Sequence, residues 1–240
     1  MQNNDMFKRA LPTIAVLVLC GALITAIAMW LGPDSPNEAQ VDVSEKTTET
    51  LPAPLTADQL TAYDVEMTNN DNPVAVLTTS MGVVEIELFE DTMPITAGNF
   101  KKLVSEGFYD GTKFHRVIEG FMIQGGDPIS KTDEVMRYGT GNPGYSIQDE
   151  HIKGEYLSNV RGTISMANSG PNSGGSQFFI NLVDNVNLDF DKEPLTSKHP
   201  VFGRVLSGME VIDAIAQVET NPRDVPLEPI IVEKVEVREK

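Results

Sequence analysis

Short apolar stretches separated by glycine-rich turns constrain the fold of this 240-residue chain more than any other feature of its sequence. Val84, Ile86 and Leu88 alternate with glutamates, and a period of two residues is typical of a strand with one buried face. Further strands are predicted at 74–79, 113–118, 121–124, 162–166, 177–181, 200–205 and 234–238. The pattern predicts a mainly β fold, a closed antiparallel eight-stranded β-barrel capped by two α-helices.

The two predicted helices lie between strands. Asp91 and Thr92 are expected to cap the first helix, with Pro94 in its first turn and Gly107 at its end. Its apolar stripe is predicted to contain Ile95, Phe100, Leu103 and Val104. The second helix is predicted at 209–217, and its inward side chains are predicted to be Val211, Ile212 and Ile215.

An uncharged apolar run from Leu11 to Leu31 follows Lys8 and Arg9. At about 1.5 Å per residue, a helix over this run spans roughly 30 Å of hydrocarbon. Positive flanks stay in the cytoplasm, so we expect a single-pass anchor at 11–31 in the cell (inner) membrane, with residues 1–10 in the cytoplasm. The rest of the chain then faces the periplasm or the cell exterior. The alternative is a signal segment, cleaved near the small residues at 26–28, and a secreted protein.

Residues 32–72 are rich in Pro, Thr, Asp and Glu and poor in aromatic residues. Such a composition buries too little apolar surface to offset the entropy of ordering, so we expect a flexible linker. Its root-mean-square reach is about 35 Å. The compact pattern begins after it, and residues 73–240 are predicted to form the globular domain.

The charge and the ligand-forming residues exclude several classes of function. A net charge of −17 argues against nucleic-acid binding, which needs clustered lysine and arginine to neutralise phosphates. The single cysteine, Cys20, lies in the apolar run, so the globular part has no disulfide. His115, His151 and His199 lack metal-ligand spacing. We therefore expect neither a metal nor a cofactor.

Residues 139–144 match the glycine pattern of dinucleotide-binding loops. That motif needs a strand before it and a helix after it, but 136–138 is a weak strand and Pro143 breaks the geometry. We interpret the match as accidental. No serine lies in a nucleophile elbow, which argues against a hydrolase triad, although spacing alone leaves one open.

Two segments combine short strands with polar turns. In the first, 114–127, Met122 and Gln124 share one face by the period of two, and Arg116 lies near the same turn. In the second, 167–180, Gln177 and Phe179 share one face. Each segment alone indicates no more than the edge of a hairpin.

Together, the two segments resemble the signature segments of the cyclophilin family of prolyl isomerases. The resemblance extends over 74–237 and includes 201–205 and 208–212. The sequences at 126–128 and 141–145 resemble bacterial members most, and 129–138 resembles an insertion relative to compact members.

The resemblance implies a peptidyl-prolyl cis-trans isomerase that acts on Pro-containing polypeptides folding outside the cytoplasm, with Arg116 as the catalytic residue. The substrate-binding residues that it implies are Phe121, Met122, Gln124, Ala167, Asn168, Gln177, Phe179, Leu188 and His199. Asn187 occupies a position where many members carry a tryptophan that contacts cyclosporin, so we expect weak cyclosporin binding with catalysis retained. The alternatives are a module that holds Pro-containing segments without turnover, and a general chaperone.

Overall fold

The computed structural model describes residues 71–196 and 198–239 of the chain. Within them, the chain forms eight β-strands, two α-helices and several short 3-10 turns. The strands are β1 (Val74–Thr79), β2 (Gly82–Leu88), β3 (Arg116–Ile118), β4 (Met122–Gly125), β5 (Thr163–Met166), β6 (Phe178–Asn181), β7 (Val201–Ser207) and β8 (Val232–Arg238). The helices are α1 (Pro94–Ser105) and α2 (Met209–Ala216). The mainly β prediction is confirmed.

All eight strands belong to one curled antiparallel sheet in the order β3-β4-β6-β5-β7-β2-β1-β8. The segments that precede the two edge strands meet at an isolated antiparallel bridge between Lys113 and Ile231. Backbone hydrogen bonds from Phe114 N to Ile230 O (3.0 Å) and from Val232 N to Thr112 O (2.8 Å) continue this contact. The curled sheet therefore closes through the segments just before β3 and β8. The sequence instead predicted that a strand begins at residue 113.

The core lies inside the curled sheet and beneath the two helices. Ile86 and Leu88 are fully buried, as the alternation predicts. Glu87 is also fully buried, however, because its carboxylate accepts hydrogen bonds from Arg204 Nε (3.0 Å) and Asn72 Nδ2 (3.2 Å). The face of β2 opposite Ile86 and Leu88 thus carries a buried charge at Glu87. This charge is paired, as buried charges need to be.

Helix α1 is capped differently from the prediction. Its N-cap position is Met93, which provides no side-chain hydrogen bond. Instead, the buried carboxylate of Glu150 accepts hydrogen bonds from Ile95 N (2.9 Å) and Thr96 N (2.6 Å). The prediction of Asp91 and Thr92 as caps is wrong because a residue distant in sequence satisfies the free N–H groups of the first turn.

The predicted apolar stripe of α1 is correct for Phe100, Leu103 and Val104, which are buried, but wrong for Ile95, which is 42 % exposed. In α2, Ile212 and Ile215 are fully buried and Val211 packs against the core. The weak strand predicted at 136–138 is a 3-10 turn, Val135–Arg137.

The predicted cytoplasmic segment 1–10, the anchor 11–31 and nearly all of the linker 32–72 lie outside the described residues. None of the helices at 71–196 and 198–239 has the length and hydropathy needed to cross a membrane.

Candidate active site

Three adjacent strands bring the predicted polar and apolar site residues into one row. Arg116 on β3 pairs with Gln124 on β4, and Gln124 pairs with Phe179 on β6. Residues directly opposite each other in antiparallel strands project to the same face. The register therefore places a cation, an amide and an aromatic ring side by side on one surface of the sheet.

A small apolar cluster adjoins this row, and we refer to its surface as the apolar pocket. Met122, Phe179 and Leu188 form a small buried cluster that is separate from the main core, and Phe121 and Ala167 pack against it half-buried. The 3-10 turn Val186–Leu188 delivers Leu188. The cluster supplies an apolar surface without a charged group, which suits the ring of a proline.

His199 lies at the rim of the pocket. Its ring meets the Phe179 ring edge to face, with centroids 5.4 Å apart, and its Nδ1 lies 3.1 Å from the Met166 carbonyl oxygen. Burial lowers the pKa of the His199 imidazole, although the Met166 carbonyl opposes this effect. A carbonyl only accepts hydrogen bonds, so Nδ1 carries the proton in the neutral ring.

The polar side of the site is an organised amide network. Gln124 Nε2 donates to Gln177 Oε1 (3.0 Å), and Gln177 Nε2 donates to the carbonyls of Gly139 (3.0 Å) and Gly141 (2.8 Å). These residues, together with Ala167 and Asn168, line a cleft of about 260 Å³. The glycine-rich loop at 139–144 thus helps to fix Gln177.

Asn168 joins this cleft to the pocket rim. Its side-chain amide donates to the Lys198 carbonyl (2.8 Å). Gly126 has a φ of +82°, and an added Cβ would lie 2.3 Å from the Ser176 carbonyl oxygen. Only glycine allows the chain after β4 to approach the segment before β6 this closely.

Arg116 is half-exposed at the open end of the row. Its Nε lies 3.5 Å from Asp224 Oδ2, and the Asp224 carbonyl accepts a hydrogen bond from Val117 N (2.8 Å). Among the residues of 71–196 and 198–239, Nη1 and Nη2 of Arg116 have no hydrogen-bond partner. The guanidinium is thus ion-paired with Asp224 on its Nε side, and its two terminal nitrogens have no partner in the described part of the chain.

Comparisons with known proteins agree with this geometry. Residues 74–237, more than half of the chain, match the family described as cyclophilin type peptidyl-prolyl cis-trans isomerase/CLD. Peptidyl-prolyl cis-trans isomerase A of Dickeya dadantii is 40 % identical over 195 residues, which cover 79 % of this chain and 97 % of that protein. The chain belongs to the cyclophilin family.

Two further similarities extend the comparison. A putative bifunctional phosphatase/peptidyl-prolyl cis-trans isomerase of Streptococcus pyogenes is 38 % identical over 200 residues, and the match spans 72 % of this chain but only 40 % of that protein. A Cryptosporidium parvum cyclophilin, crystallised in the presence of the dipeptide Ala-Pro, superposes with a TM-score of 0.60 at 29 % identity, covering 70 % of this chain and 99 % of that one. The chain is therefore a cyclophilin-type peptidyl-prolyl cis-trans isomerase.

The cyclophilin site contains one contact that the sequence did not predict. Asp224 comes from a loop far along the chain, and nothing in its local sequence connects it with Arg116. Asn187 is exposed beside Leu188 and presents a short amide there. In the part of the chain that the structure describes, no group of three His, Cys, Asp or Glu side chains is arranged to hold a metal.

Proposed function

We propose that this cyclophilin isomerises X-Pro bonds by stabilising the twisted amide with the Arg116 guanidinium while the proline ring occupies the apolar pocket. The row of Arg116, Gln124 and Phe179 on three paired strands carries the proposal, because it puts a half-exposed cation beside an apolar surface. A planar prolyl amide has a rotation barrier of about 18–20 kcal/mol. No bond is broken, so neither a nucleophile nor a metal is needed.

Twisting the C–N bond removes amide resonance and leaves a basic lone pair on the prolyl nitrogen. A donor placed at this nitrogen binds the twisted state better than either planar state, which is the condition for catalysis. The two unpaired terminal nitrogens of Arg116 are suitable donors. Phe121, Met122, Phe179 and Leu188 hold the ring, while Gln124 and the backbone of Asn168 align the substrate chain on either side of the rotating bond.

The site of action that we propose is outside the cytoplasm, with the domain tethered to a membrane. The support is the uncharged run from 11 to 31 after Lys8 and Arg9, followed by a polar stretch long enough to separate a domain from the bilayer. Mass spectrometry of the mature N-terminus after membrane fractionation tests this. An intact N-terminus in the membrane fraction supports the anchor, and a chain that begins after residue 28 in the soluble fraction refutes it.

The catalytic proposal is tested by a peptide isomerisation assay on wild type and Arg116→Ala. Losing one preorganised donor to the transition state costs about 10²–10³-fold in kcat/KM. Arg238→Ala is the matched control, because it removes an exposed arginine of β8 that is paired with Glu85. Wild-type activity in Arg116→Ala contradicts the proposed mechanism. A wild-type protein that binds the peptide without accelerating exchange supports a holding module instead.

A further inference from the structure

The insertion at 129–138 is built onto the domain at both of its ends. The buried carboxylate of Asp127 accepts hydrogen bonds from Ile129 N (2.8 Å), at the first residue of the insertion, and from Gly139 N (2.5 Å), just after its last residue. Inside the insertion, Tyr138 Oη donates to the Thr132 carbonyl (2.6 Å). A segment held this firmly keeps a defined surface rather than acting as a loose loop.

Met136 is the outermost apolar side chain of this insertion. It is 77 % exposed, the largest fraction among the large apolar side chains of residues 71–196 and 198–239. Arg223 holds it from the domain, with Nη1 lying 3.2 Å from Met136 Sδ and Nη2 lying 3.3 Å from its carbonyl oxygen. An exposed side chain with so little apolar cover is therefore fixed in place, and its burial by a ligand is favourable.

A small cavity of about 120 Å³ lies beside Val135, the residue before Met136. Most of its lining residues are apolar, among them Val135 and Leu227, and Lys113, Asp133 and Tyr138 provide the polar part. Leu227 is 57 % exposed. Together, Val135, Met136, Arg223 and Leu227 form what we call the Met136 face. A flexible thioether suits a surface that accepts apolar side chains of different shapes.

Two consecutive residues, Arg223 and Asp224, connect the Met136 face with Arg116. Arg223 is followed directly by Asp224, whose carboxylate pairs with Arg116 and whose carbonyl is bonded to the strand of Arg116. An extended polypeptide advances about 3.3 Å per residue. A few residues of an extended client therefore span the length of the Arg223 side chain together with the step from Arg223 to Asp224. A client chain that extends from Arg116 towards Arg223 would reach this face.

We propose that the Met136 face is a secondary binding site for an apolar side chain of the client polypeptide, located a few residues from the isomerised proline. The inference rests on the proposed function, because it takes the pocket beside Arg116 as the place of the proline. The insertion would then give this cyclophilin a preference for unfolded clients that carry an apolar residue near the proline.

The experiment uses the full chain and peptides with one X-Pro bond that carry either leucine or serine two to four residues from the proline, on each side in turn. Wild type is expected to show a leucine-to-serine ratio of kcat/KM of about five for at least one position, because part of a side chain is buried at the face. Met136→Ser is expected to reduce this ratio to about one, and Met136→Leu to keep it.

Controls separate this inference from the proposed function. Leu206→Ser removes an apolar side chain that is 40 % exposed on β7, four strands away from β3 in the sheet order, and should keep the ratio. A wild-type enzyme that is inactive on every peptide refutes the proposed function. An active wild type with a ratio of one at all positions, or a ratio unchanged in Met136→Ser, refutes the secondary site alone.

A binding measurement provides the second readout. The ε-methyl NMR signal of Met136 is expected to shift on addition of the leucine peptide and to stay unchanged with the serine peptide. Sedimentation at the same protein concentration checks whether a second copy of the chain covers the face. A dimer that Met136→Ser dissociates, without a peptide-dependent shift, contradicts a client site.

Discussion

The side chain of Glu150 links the stability of α1 to the shape of the active-site cleft. Its carboxylate is the cap of the helix, accepting hydrogen bonds from two backbone N–H groups of the first turn. Replacement by alanine leaves both donors unsatisfied near the positive end of the helix dipole. Losing an N-cap costs roughly 0.5–2 kcal/mol, and hydrogen bonds to a charged acceptor lie at the upper end of this range. We therefore expect Glu150→Ala to lower the free energy of unfolding by about 2 kcal/mol.

The assay is urea unfolding followed by fluorescence and circular dichroism. With an m-value of about 2 kcal/mol/M, the midpoint is expected to fall by about 1 M. Glu106→Ala is the control, because Glu106 lies at the opposite end of α1 and only its exposed contact with Lys102 (3.8 Å) is lost. A change below about 0.5 kcal/mol in Glu150→Ala, equal to a typical exposed-site effect, would refute the capping argument.

The same variant has a consequence for catalysis. Asn99, one turn further along α1, donates to the Gly175 carbonyl (2.7 Å), and Gly175 lines the cleft beside Gln177. A frayed first turn loosens this wall of the cleft. We therefore expect Glu150→Ala to raise KM for peptides more than it lowers kcat, with the effect of Glu106→Ala close to zero on both.

Three further predictions concern the site. Asn187→Trp is expected to strengthen cyclosporin binding in an inhibition titration, whereas nanomolar-class binding by the wild type would contradict the role given to this position. Asp224→Ala is expected to lower kcat/KM less than about fivefold, because a half-exposed ion pair contributes less than about 1 kcal/mol. Added salt should reduce the difference between this variant and wild type. A loss as large as that of Arg116→Ala would be inconsistent with a supporting role for Asp224. Burial lowers the pKa of both His115 and His199 in the folded state, so the unfolded chain binds more protons and stability should fall as the pH drops below about 6.5. Urea midpoints at several pH values measure this decline. His199→Gln should flatten part of it, and an unchanged decline would indicate that the His199 imidazole is charged in the native state.

The sequence predicted best where the structure depends on local pattern. Strand β2 buries Val84, Ile86 and Leu88 as their alternation predicts, and α1 and α2 have their helical periods, so the existence and type of these elements were predicted correctly. The site residues on β3, β4 and β6 were also brought together, because the resemblance to cyclophilins carried information on register that local pattern lacks. Neither the local pattern nor the resemblance predicted that β3 begins only at Arg116. It begins there because residues 112–114 pair with residues 230–232.

Contacts between segments that are distant in the chain could not be predicted from the sequence. Glu150 replaces the local caps at Asp91 and Thr92 because its position is set by the path of the chain after 145, not by helix propensity. Glu87 was placed outward by the period of two, and it is buried because Arg204 from β7 reaches it. The pairing of Asp224 with Arg116 belongs to the same class, since neither residue has a neighbour in sequence that signals the other.

The most direct test of the catalytic claim is the exchange rate of the enzyme-bound peptide, measured by NMR with wild type and Arg116→Ala at saturating peptide. Differential stabilisation of the twisted amide predicts that Arg116→Ala binds the peptide within a few-fold of wild type while its on-enzyme cis-trans rate falls about 10²–10³-fold. An on-enzyme rate close to that of wild type, with the loss confined to binding, would contradict the claim that Arg116 acts on the transition state.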